Sequence, residues 1–259
     1  INNGDGIYNG GGGGSGTFEV DLGGGVSQTL VFPPYLIPVE YIDTTGISTS
    51  NYYVFPVVNK FTTKSAFKIK SVFSFDTAIM DADNNIKYVT YYHAPLGSST
   101  DSSWNLYLGL NSYGRYFYRY GGKDFLIEKE GFFVNSDKLI FTLDVYNGLA
   151  TLTDESGHAA THNETPSYNL GNIGWCGVFG NQISNPPNQY RGKLYYTYII
   201  DGDHIVSLLI PAREKTTNKP FIVDCVSGAA VSNFTTGNDT GVLFGPDINL
   251  SSEIPNWIT

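Results

Sequence analysis

In the run DFLIEKEGFF, Glu128 and Glu130 lie two residues apart, so on a strand both would point to one face. A carboxylate pair is what glycoside hydrolysis uses, with carboxyls ~5–5.5 Å apart in retaining enzymes and ~6.5–9.5 Å in inverting ones. Here a turn-forming Gly131 follows directly and no third acid joins the pair, so a solvated strand end accounts for it. Ser65-Ala66-Phe67-Lys68 fits S-x-x-K, but the companion motifs of that chemistry are missing. No G-x-S-x-G, H-E-x-x-H, P-loop or G-x-G-x-x-G occurs. The histidines, His93, His158, His162 and His204, are scattered, and no Cys/His cluster has zinc spacing. The sequence therefore predicts a protein without catalytic residues and without an obligatory cofactor.

One loop could take calcium. Asp81-Ala82-Asp83-Asn84-Asn85 begins like D-x-D-x-N, with Asp81, Asp83 and Asn85 as oxygen ligands. The sixth position is Ile86 where an EF-hand needs Gly, and the twelfth is Tyr92 where it needs Glu, so an EF-hand is excluded. A calcium-binding loop tip and a plain turn rich in Asx residues are the two readings that remain.

The strongest binding candidate comes from strand register in WNLYLG-LNSYG-RYFYRY. If one strand ends at Gly109 and the next resumes at Arg115, Leu108 faces Tyr116, Leu106 faces Tyr118 and Trp104 faces Tyr120. That makes one apolar face. The other carries Asn105, Tyr107, Gly109, Arg115, Phe117 and Arg119. A slip by one residue would bury both arginines, at a cost of several kcal/mol unless they were paired. Aromatic rings stack on the C–H faces of sugars, and Arg and Asn donate to hydroxyls or acidic groups. Asn105, Tyr107, Arg115, Phe117 and Arg119 are thus candidate ligand contacts, and a covering loop or neighbouring subunit is the competing explanation of the same face.

The elements that must position such residues are strands. The chain has 259 residues, 41% of them hydrophobic and 15% aromatic, with 19 Tyr and 16 Phe. Charged residues are 15%, below the usual ~25%. Lys+Arg number 15 against 24 Asp+Glu, a formal net charge of -9. That balance argues against a nucleic-acid partner and against docking on an anionic membrane. No stretch reaches the ~18 apolar residues of a membrane span, and Leu30 to Val39 is interrupted by Pro33, Pro34 and Pro38.

Apolar or alternating runs recur near 52–58, 65–75, 86–93, 104–109, 115–120, 138–146, 149–153, 173–180, 193–200 and 204–210, separated by Gly, Asn, Asp, Ser and Pro. Asn147-Gly148 in FTLDVYNGLATLTD supplies the two positive-φ residues of a type I′ hairpin turn. Asp201-Gly202-Asp203 predicts a second hairpin, and FSFDTAIMDADNNIKYVTYY a third. No amphipathic helix of ten or more residues is predicted. Strands at this spacing indicate a two-sheet antiparallel sandwich or jelly roll. Cys176 and Cys225 lie in apolar runs, as two buried thiols or a single bridge. Residues 1–25 stand apart: eleven are Gly, so the sequence predicts an arm or linker before a domain spanning 26–259. Such an arm is either a tether or a segment held by a neighbouring chain.

Two segments resemble one family. LIPVEYIDTTGISTSNYYVFPVV is similar to the opening strand of concanavalin A-like, laminin G-type jelly rolls. YRGKLYYTYIIDGDHIVSLLIPAREKTTNKPFIVDCVSGAAVSNFTTG resembles that family's closing unit, with Pro211-Ala212-Arg213 at its Pro position and Val223-Asp224 where the family shows Tyr-Asp. Gly228 and Phe234 follow in register, while Val223 departs from the usual Tyr. The resemblance implies an all-β, two-sheet antiparallel jelly-roll sandwich (concanavalin A-like) with a glycine-rich N-terminal arm. Hydrolases of that fold place an E-x-D-x-E or E-x-D-x-x-E run on one strand, and none occurs here. Domains of this kind occur in bacteriophage virion and tail-fibre proteins and on gut-bacterial surfaces, often with calcium at loop tips. The resemblance thus implies a non-enzymatic adhesion or decoration module, on a virion or cell surface, that recognises host cell-surface glycan beside other virion or surface proteins. A homo-oligomer follows by the same analogy, a trimer if the parent is a fibre. A secreted or surface bacterial lectin-like protein, and a glycan hydrolase or lyase, are the alternatives.

Overall fold

The Val-, Ile-, Phe- and Tyr-rich runs fold as strands, because β-branched and aromatic side chains pack well on a pleated, half-buried surface. The structure, a computed structural model, describes residues 16–46, 55–57, 66–75, 89–95, 105–110, 116–120, 123–127, 138–163, 176–178, 192–232 and 241–258. In chain order the strands are β1 (Gly16–Gly23), β2 (Val26–Phe32), β3 (Leu36–Pro38), β4 (Ile42–Asp43), β5 (Phe55–Val57), β6 (Phe67–Phe75), β7 (Val89–Pro95), β8 (Asn105–Leu110), β9 (Tyr116–Tyr120), β10 (Lys123–Ile127), β11 (Leu139–Tyr146), β12 (Leu149–Asp154), β13 (Ala159–Asn163), β14 (Cys176–Val178), β15 (Gly192–Asp201), β16 (His204–Glu214), β17 (Pro220–Asp224), β18 (Ala229–Ser232) and β19 (Leu243–Phe244). Helix α1 (Leu250–Ile258) follows them.

Two antiparallel sheets form the sandwich. One runs β13-β12-β11-β6-β15-β16-β17-β18, with β3, β4 and β19 attached; the other runs β10-β9-β8-β7-β14-β5. β6 and β7 follow each other in sequence yet lie in different sheets, as do β14 and β15. Because β6 pairs with β15 and β7 with β14, a two-strand ribbon crosses from sheet to sheet, which is jelly-roll connectivity. β10 touches β12 and β13 at one side, and β5 touches β17 and β18 at the other.

The larger sheet buries both faces. On one, Phe73 pairs with Leu139 and Leu194, and Ile69 with Leu143 and Ile199, all inaccessible or nearly so. The opposite face carries Val72, Tyr196, Tyr198, Leu208, Ile210 and Val223, which share a core with Phe18, Val20, Leu30 and Phe32 of the β1–β2 hairpin and Leu250 and Ile254 of α1. Full burial of side chains such as Phe32, Phe73 and Leu30 stabilises by roughly 1.5–3 kcal/mol each.

Two sequence expectations change here. Residues 16–25 are not an arm: β1 alternates buried and exposed residues, and Phe18 and Val20 enter the core. The Gly23-Gly24-Gly25 triplet, all at positive φ, is the turn into β2 rather than a linker. β2 docks through Gln28, whose side-chain amide donates to the Ile205 carbonyl at 2.8 Å and accepts the Ile205 N–H at 2.9 Å. The strands at the two ends of FSFDTAIMDADNNIKYVTYY do not pair as the expected hairpin: β6 and β7 belong to different sheets, and residues 76–88 lie outside the described residues. Helix α1, nine residues, was obscured in sequence by Pro255. It is capped by Asn249, whose Oδ1 accepts the Ser251 N–H at 3.0 Å.

Other expectations hold. Asn147 (φ 49°) and Gly148 (φ 76°) make the β11–β12 turn, and the chain reverses at Gly202 between β15 and β16. Asp224, expected from the closing unit, is buried and organises the β17–β18 turn. Its carboxylate accepts the Leu208 N–H at 3.0 Å and the Ser227 hydroxyl at 2.6 Å. Arg213 holds Asp247 through two nitrogens, at 2.9 to 3.3 Å, tying β16 to the segment that leads into α1. Cys225 is a free, buried thiol, and burial followed by the Asp224 charge pushes its pKa up; Cys176 lies in the other sheet.

Candidate ligand-binding cleft

β15 contains an irregularity that the sequence reading did not anticipate. Leu194 pairs with Phe73 and Tyr196 with Val72, so Tyr195 has no partner of its own on β6. This is a β-bulge, and it turns two successive side chains to one side of the sheet where a regular strand would alternate them. Tyr195 and Tyr196 together line a cleft of about 300 Å³. Glu40 and Lys138 form one part of its wall, and Glu253 and Trp257 of α1 another.

The surroundings lock this geometry. Glu40 N–H donates to the Pro246 carbonyl at 2.8 Å, Gly245 N–H to the Tyr41 carbonyl at 2.9 Å, and Ile248 N–H to the Pro38 carbonyl at 3.1 Å. Residues 38–41 and 245–248 therefore run side by side beneath the cleft. Gly245 is required there, since a Cβ would meet the Tyr41 ring at 2.7 Å. Tyr41 in turn packs on Tyr195, with centroids 5.3 Å apart and planes at 60°.

Charge is arranged on this aromatic floor. Lys138 Nζ lies 4.2 Å from the Tyr195 ring centroid and 3.3 Å from Glu40 Oε1. Lys193 Nζ lies 4.5 Å from the Tyr41 centroid. The Tyr195 phenol is pushed up to about 12, first by burial and then by the negative charge of Glu40, the neighbouring Tyr41 and Asp43. The cleft combines largely buried aromatic rings with an ammonium and two carboxylates, polar groups suited to a polyhydroxylated ligand.

The sequence-predicted contacts fall elsewhere, on the six-stranded sheet. Tyr107 pairs with Arg119, Gly109 with Phe117, and Asn105 with Pro95 of β7. The register differs from the expected one by two residues: Leu108 opposes Tyr118 and Leu110 opposes Tyr116. A shift by two preserves the faces, so Tyr107, Phe117 and Arg119 still share one parity of the ladder. Arg115, the acids Glu128 and Glu130, and the calcium candidates Asp81, Asp83 and Asn85 lie outside the described residues. Lys68, of the S-x-x-K match, pairs with Asp144 at 3.6 Å on the surface. Among the described residues no group of three or more His, Cys, Asp or Glu is placed to hold a metal ion, and no helix is long and apolar enough to cross a membrane.

The cleft was missed because pattern reading assumes alternation. In sequence, Leu194, Tyr196 and Tyr198 keep a period of two, and in a sheet buried on both faces adjacent buried tyrosines carry no mark of a bulge.

No family model and no curated protein matches the chain. Solved structures do. A heptameric SAP-like pentraxin from Limulus polyphemus matches with 9% identity and a TM-score of 0.46, over 61% of this chain and 74% of that one. Domain 4 of AbnA, an extracellular arabinanase from Geobacillus stearothermophilus in complex with arabinotriose, matches with 10% identity and a TM-score of 0.40, over 74% and 77%. The enzymatically active domain of tailspike protein 2 from bacteriophage CBA120 matches with 10% identity and a TM-score of 0.40, over 75% of this chain and 31% of that one. Similarity at this level assigns this chain neither a family nor an activity.

Proposed function

We propose that this chain is a non-enzymatic carbohydrate-recognition module of a virion or surface protein, and that the cleft at the Tyr195 bulge holds the sugar. The observation that carries this reading is the bulge itself. It brings two adjacent tyrosines and Trp257 to one opening, with Glu40, Lys138 and Glu253 also lining it. Aromatic surface packs against sugar C–H faces while carboxylates accept hydrogen bonds from hydroxyls. The ion pair of Glu40 with Lys138 favours binding over acid–base catalysis, because it engages one of the two acids. The pairing of Tyr107 with Arg119 supports a second reading, in which the six-stranded sheet presents the glycan surface.

A glycan array probed with the full chain, with Glu253→Gln and with a Tyr107→Ala/Arg119→Ala double variant separates these. Selective binding lost only in Glu253→Gln places the site in the cleft. Loss only in the double variant moves it to the β8–β9 surface. A blank array for all three overturns both, and release of reducing sugar ends would overturn the non-enzymatic part. Solution mass of the same chain tests the accompanying expectation of a symmetric oligomer, trimeric in a fibre.

A further inference from the structure

We propose that the sugar selected by this cleft carries a free ammonium group, as a 2-amino-2-deoxyhexose unit does. This rests on the reading of the cleft as a sugar site and narrows it. The argument starts from Lys138. Its ammonium already sits on the Tyr195 ring face, 4.2 Å from the centroid, with a Glu40 carboxylate oxygen at 3.3 Å. A ring face plus a carboxylate is how proteins hold primary and quaternary ammonium groups. The site thus displays its preferred chemistry with a resident side chain as occupant.

That occupant is suited to leaving. The Lys138 side chain is 48% exposed at the start of β11, on a flexible four-carbon stem. The ring beneath it is fixed, since Tyr195 is only 8% exposed and packed against Tyr41. A ligand ammonium can take the ring face while Lys138 swings into water at little cost. The charge count points the same way. Glu40 and Glu253 against Lys138, two negatives and one positive, leave the lining one negative charge. Among the described residues Glu253 pairs with no Lys, Arg or His. A uronic or sialic acid would meet repulsion there, and an N-acetylated sugar would bring no charge to either carboxylate.

The test is calorimetric titration of the full chain with a glucosamine trisaccharide and, in parallel, its fully N-acetylated counterpart. The free-amine sugar should bind more tightly by about three- to thirtyfold, the range of one partly desolvated cation–π contact. Lys138→Met should strengthen amine binding by removing the competitor, and Glu253→Gln should weaken it. Both variants are exposed or half-buried substitutions, and circular dichroism checks their fold. Equal affinity for the two trisaccharides, or weaker amine binding in Lys138→Met, overturns the ammonium inference while leaving the sugar site standing. Binding of neither trisaccharide, with other glycans bound on the array through Glu253, likewise overturns it. Capture of a lysine-rich peptide in place of any sugar overturns both it and the reading beneath it.

Discussion

Tyr196 and Trp257 lie face to face, their ring centroids 4.3 Å apart and their planes 9° from parallel. The contact joins the central strand of the larger sheet to the final helix. Tyr198 stands in parallel beyond Tyr196, at 6.4 Å, and Lys70 donates to the Trp257 carbonyl at 3.0 Å. An ammonium at the last turn of a helix also offsets the partial negative charge there. Trp257→Ala should therefore cost about 2–3 kcal/mol by urea denaturation, and Trp257→Phe less than half of that. Equal losses in both would mean that the stacked area contributes nothing.

Alkaline stability follows from the buried phenols. Burial pushes Tyr198 up to about 12; burial, with the charges around Glu40, does the same for Tyr195, and Tyr196 goes higher still. The unfolded chain releases these protons near its ordinary value of 10.0, before the folded one does. Their contribution is complete below that pH and disappears as pH climbs toward 12. Urea midpoints should fall steeply across this window, with phenolate absorbance rising together with unfolding. Ionisation of all 19 tyrosines near pH 10 while the chain is still folded would contradict the burial.

At the acid end the sign reverses. Asp154 has a fully buried side chain, and burial alone would raise its pKa. Hydrogen bonds from His158 and Ser156, at 2.8 to 2.9 Å, and the His158 charge outweigh burial and hold the carboxyl below 3.8. Its stabilisation is present above that value and lost as pH falls through the folded-state pKa. Asp154→Ala should cost roughly 1–3 kcal/mol at neutral pH and flatten the acid limb of the stability profile, measured by urea denaturation from pH 7 to pH 2.

The β11–β12 turn tests backbone conformation alone. Gly148 sits at φ 76°, where a β-branched residue is strained. Gly148→Val should destabilise by about 1–3 kcal/mol, whereas Asn147→Gly, already at φ 49°, should change little. Thermal unfolding of the pair decides this, and indistinguishable melting temperatures would refute the turn assignment.

Local chemistry made part of this protein legible. Asn147-Gly148 and Asp201-Gly202-Asp203 specify their turns with the residues next to them, and apolar runs such as LIFTLDVY announce strands without help from elsewhere. What sequence left hidden depends on distant partners. Whether β6 turns back into β7 or crosses to the other sheet is settled by β14 and β15, a hundred residues downstream. Phe18 and Val20 look like isolated apolar residues in a glycine tract until Leu208, Ile210 and Val223 supply the face they cover. On the β8–β9 ladder, parity could be read because misplacing an arginine is costly; the absolute register could not, because a slip of two leaves every side chain on its own face.

The bulge also says how this cleft is built into the chain. Removing residue 195 would let Leu194 and Tyr196 follow one another opposite Phe73 and Val72, healing the ladder without disturbing a single pair on either side. The cleft thus depends on one residue of β15 beyond what the ladder with β6 uses. A variant lacking Tyr195 should keep the sandwich, because the β6–β15 pairs on both sides of the bulge stay in register, while the opening loses one of its two adjacent rings.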